Sequence, residues 1–201
     1  MKIYLETERL LLRQFTERDV ENLCELDSDP DVLRFINGGT PSPREVVEKT
    51  ILPRFLSFYG LYEEFGYWAA IEKDSGAFIG WFALHPEDGR DARDIALGYR
   101  LRKKSWGKGY GTEGARALIH KAFVELAARR VFACTYSENH ASRRVMEKSG
   151  MKLVRTYRMT AAELAGATTY VPTDVVWPSD DVEYALDRAD WENALGGESR
   201  P

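Results

Sequence analysis

Gly98-Tyr99-Arg100-Leu101-Arg102-Lys103-Lys104-Ser105-Trp106-Gly107-Lys108-Gly109-Tyr110-Gly111-Thr112-Glu113-Gly114 joins two apolar patterns, and its reading decides the fold. The run before it, Ile95 to Leu101, reads as a strand. The segment after it sets Ala115, Leu118, Ile119, Ala122, Phe123 and Leu126 on one helical face. Glycines at a strand-to-helix junction let backbone N–H groups converge on an anion, and the helix dipole favours negative charge there. Three ligands compete for that geometry. A Walker phosphate loop requires Gly-Lys-Ser/Thr, and Lys108 is followed by Gly109. Gly109 to Gly114 satisfies the dinucleotide pattern G-x-G-x-x-G. Yet it lies mid-chain, a charged loop separates it from its strand, and no acid ends the next strand near Cys134. The third candidate is a long phosphorylated thiol cofactor, coenzyme A.

Charge is distributed unevenly around this stretch. Between Arg90 and Arg130 stand 11 Lys or Arg, 5 of them within Arg100 to Lys108, whereas Thr160 to Glu192 holds 8 acids and one base, Arg188. Such a chain can hold an anion in one place and a cation in another. The total of −4 conceals this and gives no sign of a nucleic-acid partner. The chain has 201 residues, 44% of them hydrophobic, which suits one domain with a sizeable core. Ala77 to Leu84, the longest apolar stretch, is too short to span a bilayer. Lys2, Glu6, Glu8 and Arg9 at the start predict no secretory leader. Cys24 and Cys134, 110 residues apart without metal or redox spacing, suit a reducing cytoplasm. His85, His120 and His140 share no spacing and no cysteine partners, so no metal site is expected.

Working outward, Leu10-Leu11-Leu12 reads as a first strand, and Thr16 with Asp19 as a capping box for a helix bearing Val20, Leu23 and Cys24. Asp29-Pro30-Asp31 is read as its end, and Asn37-Gly38-Gly39 as a turn. Ser42-Pro43-Arg44-Glu45 starts a helix to about Glu64, broken near Pro53. Tyr67 to Ile71 and Phe78 to Leu84 form a hairpin around Lys73-Asp74-Ser75-Gly76, with Trp68 and Trp81 as core residues. Val131 to Tyr136 is a strand, Asn139 to Ser149 a helix stopped by Gly150, and Lys152 to Arg158 and Val182 to Asp187 are closing strands. An irregular segment, Thr160 to Asp181, carries Trp177, a candidate wall for an acceptor pocket. One mixed α/β domain over residues 1–195 with a disordered tail over 196–201 is the expected organisation.

Four ordered blocks carry a resemblance, Gly98 to Gly114 being one of them. Trp106 to Gly114 is similar to the acyl-CoA-binding motif of the GNAT N-acetyltransferases, with Gly109 and Gly111 on its two glycine positions and Trp106 where the superfamily usually has Gln or Arg. Thr7 to Arg13, Gly98-Tyr99-Arg100-Leu101 and Asn139 to Met151 resemble blocks of the ribosomal-protein-alanine (RimJ/RimL-like) branch, and Asp181 to Leu186 resembles its closing strand. The resemblance covers about residues 5 to 191. It implies a mostly antiparallel twisted sheet, flanked by helices, in which two parallel strands, Ile95 to Leu101 and Val131 to Tyr136, splay around the pantetheine arm of acetyl-CoA as co-substrate.

The resemblance implies that amides from Trp106, Gly107, Lys108, Gly109, Tyr110, Gly111 and Thr112 hold the pyrophosphate, with Lys103 and Lys104 nearby. Tyr99, Arg100 and Leu101 line the arm, and an N–H near Leu101 polarises the thioester. Asn139 hydrogen-bonds the arm and equally suits a helix N-cap. Ser142 serves the departing thiolate. The branch's glutamate, two residues before the Gly-Tyr pair, is Ala96 here. Asp94 is the candidate base on the same strand face, Tyr136 a candidate acid, and Glu138 and Glu72 are unplaced. A missing carboxylate favours an α-amine over a lysine, because the α-amine loses its proton near pH 7.7–8.0 rather than 10.4. The expected activity is acetyl transfer to a primary amine, of a protein N-terminus or a small molecule, by a monomer or homodimer without membrane or nucleic acid. The alternative is a catalytically degenerate acyl-CoA-binding regulatory module, for which Ala96 speaks.

Overall fold

The computed structural model describes residues 2–87, 89–158 and 180–197. Eight strands form one sheet: β1 (Ile3–Glu6), β2 (Leu10–Gln14), β3 (Gly66–Glu72), β4 (Phe78–Pro86), β5 (Asp94–Leu101), β6 (Arg130–Tyr136), β7 (Lys152–Tyr157) and β8 (Asp181–Asp187). Their order is β1-β2-β3-β4-β5-β6-β8-β7, and every neighbouring pair is antiparallel except β5 and β6. The mixed α/β sheet with one parallel pair matches the expectation.

Both faces of the sheet are covered, as near-continuous apolar strands require. On one face α5 (Tyr110–Val124) and α6 (His140–Lys148) cover a core containing Leu97, Phe82, Leu118, Phe123, Val131 and Tyr184. On the other, α1 (Val20–Leu26) and α4 (Leu52–Leu61) enclose Phe15, Phe55, Tyr67, Trp81 and Ala83. Trp68 and Trp81 are buried on opposite faces of the β3–β4 hairpin.

Several local readings are refined. Asp29-Pro30 does end α1, but it also starts α2 (Pro30–Asn37): the Asp29 carboxylate accepts from the Asp31 amide, and Pro30 needs no acceptor in the first turn. The helix from Arg44 is not broken at Pro53 but runs on in helical backbone to Leu61. A short α3 (Arg44–Val46) passes through a π-helical turn, Val47–Ile51, before α4 begins with Pro53 in its first turn. β1 is a separate edge strand, and α7 (Arg188–Gly197) continues β8 where a strand was read to end. This helix overlaps the expected tail at 196 and 197. Trp177 and most of the segment Thr160 to Asp181 lie outside the described residues. No helix among the described residues is long and apolar enough to cross a membrane.

Candidate active site

The parallel pair is short. β5 and β6 face each other only at Asp94 with Arg130, Ile95 with Val131, and Ala96 with Phe132. Beyond that point β5 stays on β4 to Leu101, while β6 stays on β8 to Tyr136. The strands therefore diverge into a wedge, roughly 16 Å along five residues of β5. Arg102 donates its amide to Ile79 on β4. Strand alternation then turns the N–H groups of Leu97, Tyr99 and Leu101 toward the wedge. These are internal sheet edges, the kind of surface that accepts an extended amide-bearing chain.

Two helix N-termini meet the wedge mouth, because β5 leads into α5 and β6 into α6. Gly107 and Gly109 have φ of 73° and 87°, which folds the loop back, and Gly109 caps α5 without a side chain. The first amides of α5 are thus left open for an anion. This loop is braced from outside. Glu113 accepts from the Thr7 hydroxyl (2.6 Å), the Arg9 amide (2.9 Å) and Arg9 Nε (2.7 Å), while Arg9 also donates to the Lys108 carbonyl (2.9 Å). Burial alone would raise the Glu113 carboxyl, but Thr7 and Arg9 hold it below the usual range. Trp106 closes the loop onto β5 by donating its indole N–H to the Leu101 carbonyl (2.8 Å).

Not every residue expected at the cofactor faces it. The Tyr110 side chain is buried, with Arg9 over its ring and its hydroxyl on Glu72, so only its backbone is open to an anion. Gly111 lies against α6: a Cβ there would sit 3.1 Å from Val145 Cγ2. Arg100 is buried on the opposite face of β5, paired with Asp27 at 2.7 Å. Lys103, Lys104 and Lys108 are all exposed, the first two leaning on Asp31 and Glu25, while Thr112 is half-buried in the first turn of α5.

Tyr99 and Ser142 meet. The Tyr99 hydroxyl is 2.9 Å from Ser142 Oγ and donates to the Ser142 carbonyl at 3.0 Å. With its own proton on that carbonyl, Tyr99 accepts from the serine. Burial pushes the Tyr99 phenol up to about 12 although Ser142 opposes it, so it stays protonated at neutral pH. Asn139 is the N-cap: its Oδ1 accepts from the Ser142 amide (3.2 Å) and its Nδ2 donates to Thr135 Oγ1 (3.0 Å). The cap fixes the first turn of α6 and, with it, Ser142.

Asp94 and Tyr136 stand apart from that pair. Asp94 opens β5 at the closed end of the wedge, where Arg129 grips both carboxylate oxygens at 2.8 and 2.9 Å. Both of its oxygens are thus engaged by the guanidinium, away from the Tyr99–Ser142 pair. Tyr136 ends β6 and alternates with Phe132 and Cys134, away from the Val131 and Ala133 face that α5 and α6 cover. Glu72 ends β3 against Tyr110. Glu138 lies in the turn before α6.

Instead, a histidine fills the neighbourhood of the absent glutamate. Ala96 is directly opposite His85 on β4, so the two side chains are cross-strand neighbours at the apex of the wedge. His85 Nδ1 donates to the Pro86 carbonyl (2.9 Å), which leaves the Nε2 lone pair 3.4 Å from the Tyr67 hydroxyl. Burial holds its pKa below the ordinary value, against the Pro86 carbonyl and Glu87, with the Arg54 charge adding to the drop. The imidazole is therefore neutral at pH 7 and able to accept a proton. Sequence inspection weighed His85 only as a metal ligand. Its one available signal was the register of a strongly apolar hairpin with the next strand, which sets it beside position 96.

The described residues thus present a backbone wedge with helix N-termini at its mouth and a Tyr–Ser pair on one wall. The acetyltransferase (GNAT) domain family matches residues 9–152, and the chain belongs to that family. It is 33% identical over 162 residues to the FsC-acetyl coenzyme A-N(2)-transacetylase of Aspergillus fumigatus, covering 76% of this chain and 66% of that protein. A Bacillus anthracis acetyltransferase of the GNAT family superposes with a TM-score of 0.71 at 26% identity, over 94% of this chain and 99% of that one. A ribosomal L7/L12 alpha-N-protein acetyltransferase in complex with coenzyme A shares the fold, with a TM-score of 0.69 at 18% identity over 92% and 98%.

Proposed function

We propose that this protein transfers an acetyl group from acetyl-CoA to a primary amine. The observation that carries the reading is the divergence of β5 from β6 after Ala96, between the open amides of α5 and the Tyr99–Ser142 pair. The pantetheine arm occupies the wedge as an added strand, and the pyrophosphate rests on the Gly107 to Gly111 backbone with Lys108 beside it. The wedge-facing amides of Leu97 and Tyr99 stabilise the oxyanion as the amine nitrogen attacks the thioester carbon. His85 Nε2 takes the proton of the attacking amine. The C–S bond breaks, and the thiolate takes its proton from the Ser142 hydroxyl, which Tyr99 orients; water then restores the serine proton as His85 returns the amine proton to water. Asn139 acts as the cap that positions Ser142, and Arg100, Asp94 and Tyr136 support the surrounding sheet.

Kinship to the alanine-type ribosomal branch rests on the Gly98–Leu101 and Asn139–Met151 blocks together with the shared fold. A cytoplasmic location rests on the two unpaired cysteines. The test is release of free thiol from acetyl-CoA across a broad amine panel, with the acetylated product identified by mass. Stoichiometric thiol and acetyl-amine support the reading. Tight coenzyme A binding without turnover on any amine would establish the regulatory binding module in its place.

A further inference from the structure

On the acceptor side of the wedge, one cation has no acid to answer it. Among the described residues, every other half-buried arginine sits on a carboxylate, or in Arg143 on the Tyr184 hydroxyl and the Ser137 carbonyl. Arg54 is half-buried on α4 and has no carboxylate within ion-pair distance among those residues. Withdrawing a guanidinium from water without a counter-charge is unfavourable, so such a group marks a place where an anion arrives.

Its position says which anion. Arg54 lies one helical turn before Phe58, on the same face of α4. The Phe58 ring is 5.5 Å from His85 and 5.2 Å from Tyr67. His85 lies 3.4 Å from the Tyr67 hydroxyl, and the Arg54 charge acts on both groups. The proton acceptor and the unanswered cation therefore share one neighbourhood, with Phe58 and Tyr62 as an aromatic wall beside them. Facing His85 are Tyr67 from β3, Arg54 from α4 and Glu87 after β4, while β5 offers only Ala96. A guanidinium presents a planar fork that matches a carboxylate.

We infer that the acceptor is a free amino acid or a close relative, whose carboxylate docks on Arg54 while its amine meets His85 Nε2. This rests on the acetyltransferase reading and narrows it: the α-amine of a peptide has no carboxylate attached to the same carbon, so protein N-termini are excluded by the same contact. It also replaces the cationic acceptor suggested by the acidic C-terminal stretch with one that is zwitterionic.

The experiment compares acetylation of the L-amino acids with their α-carboxamides and with short peptides, using acetyl-CoA and the full chain. At least one free acid should exceed its carboxamide in kcat/KM by tenfold or more. Arg54→Gln should raise KM for that acid at least tenfold, raise it far less for the carboxamide, and leave the KM for acetyl-CoA unaltered. Arg54→Lys should recover part of the loss. Carboxamides or peptides used as well as free acids, or Arg54→Gln weakening both alike, would overturn the carboxylate contact while leaving the acetyltransferase intact. Failure to release thiol with every acceptor would overturn the acetyltransferase reading itself.

Discussion

His85 illustrates how one side chain's duty depends on its neighbours more than on its type. An imidazole serves as a base when its other nitrogen is occupied, its lone pair faces the substrate and its pKa lies below the working pH. In His85 the Pro86 carbonyl occupies Nδ1, burial lowers the pKa, and the Nε2 lone pair faces the Tyr67 hydroxyl, the side from which the proposed amine approaches. His85→Gln should lower kcat about 100-fold, in the range general-base removal produces. The wild-type rate should rise with pH through a value below the usual 6.5 and then level, because only the neutral ring accepts a proton. In His85→Gln that limb should be absent from the kcat–pH profile; its persistence would assign the limb to another group. Tyr99→Phe makes a separate point, since it removes the acceptor for Ser142 without touching the serine. A loss in kcat with unchanged KM for acetyl-CoA is the expected split.

The elements explain why the phosphate loop was legible in the sequence and the base was not. Gly107 and Gly109 advertise themselves, because few other residues adopt the left-handed backbone the turn requires. The four motif blocks likewise lie within continuous stretches of chain. By contrast, the approach of α4 to β4 joins residues 54 and 58 to residue 85, which no local pattern reveals. The role of Gly114 was equally hidden. It reads as part of a phosphate motif, yet a Cβ there would fall 2.3 Å from Phe82 Cζ, so this glycine exists to let α5 settle on the sheet. Gly114→Ala should therefore destabilise by about 1–3 kcal/mol, as overpacking does. Denaturant melts would show this as a lower midpoint at an unchanged slope, with coenzyme A affinity reduced only in proportion to folding. The Asn139 amide shows the reverse: capping and cofactor contact look alike in the sequence, and in the structure its Oδ1 caps α6 while its Nδ2 ties the cap to Thr135 on β6.

Across the whole molecule, the acid behaviour should be set by Glu183 at the β6–β8 seam. Burial alone would raise this carboxyl, but Arg90 at 2.6 Å and Arg155 at 2.7 Å hold it below its usual value. A carboxyl depressed on folding contributes stability that is present above its unfolded pKa, near 4.3, and is lost as pH falls through the folded value. Below about pH 4 the wild-type Tm should fall steeply. Glu183→Gln should start lower at neutral pH and decline more gently, and equal acid slopes in the two proteins would assign the transition elsewhere.

The wedge carries one more consequence. With β5 and β6 parted beyond Ala96, the sheet is one strand short of closure, and in the proposed reaction its missing member is a diffusible molecule. A ligand bound only by the folded form adds about 2.7 kcal/mol at one hundred times its dissociation constant. The persistence of this protein against proteolysis would then follow the cell's pool of acylated thiol, so that the catalyst lasts longest when its acetyl donor is plentiful.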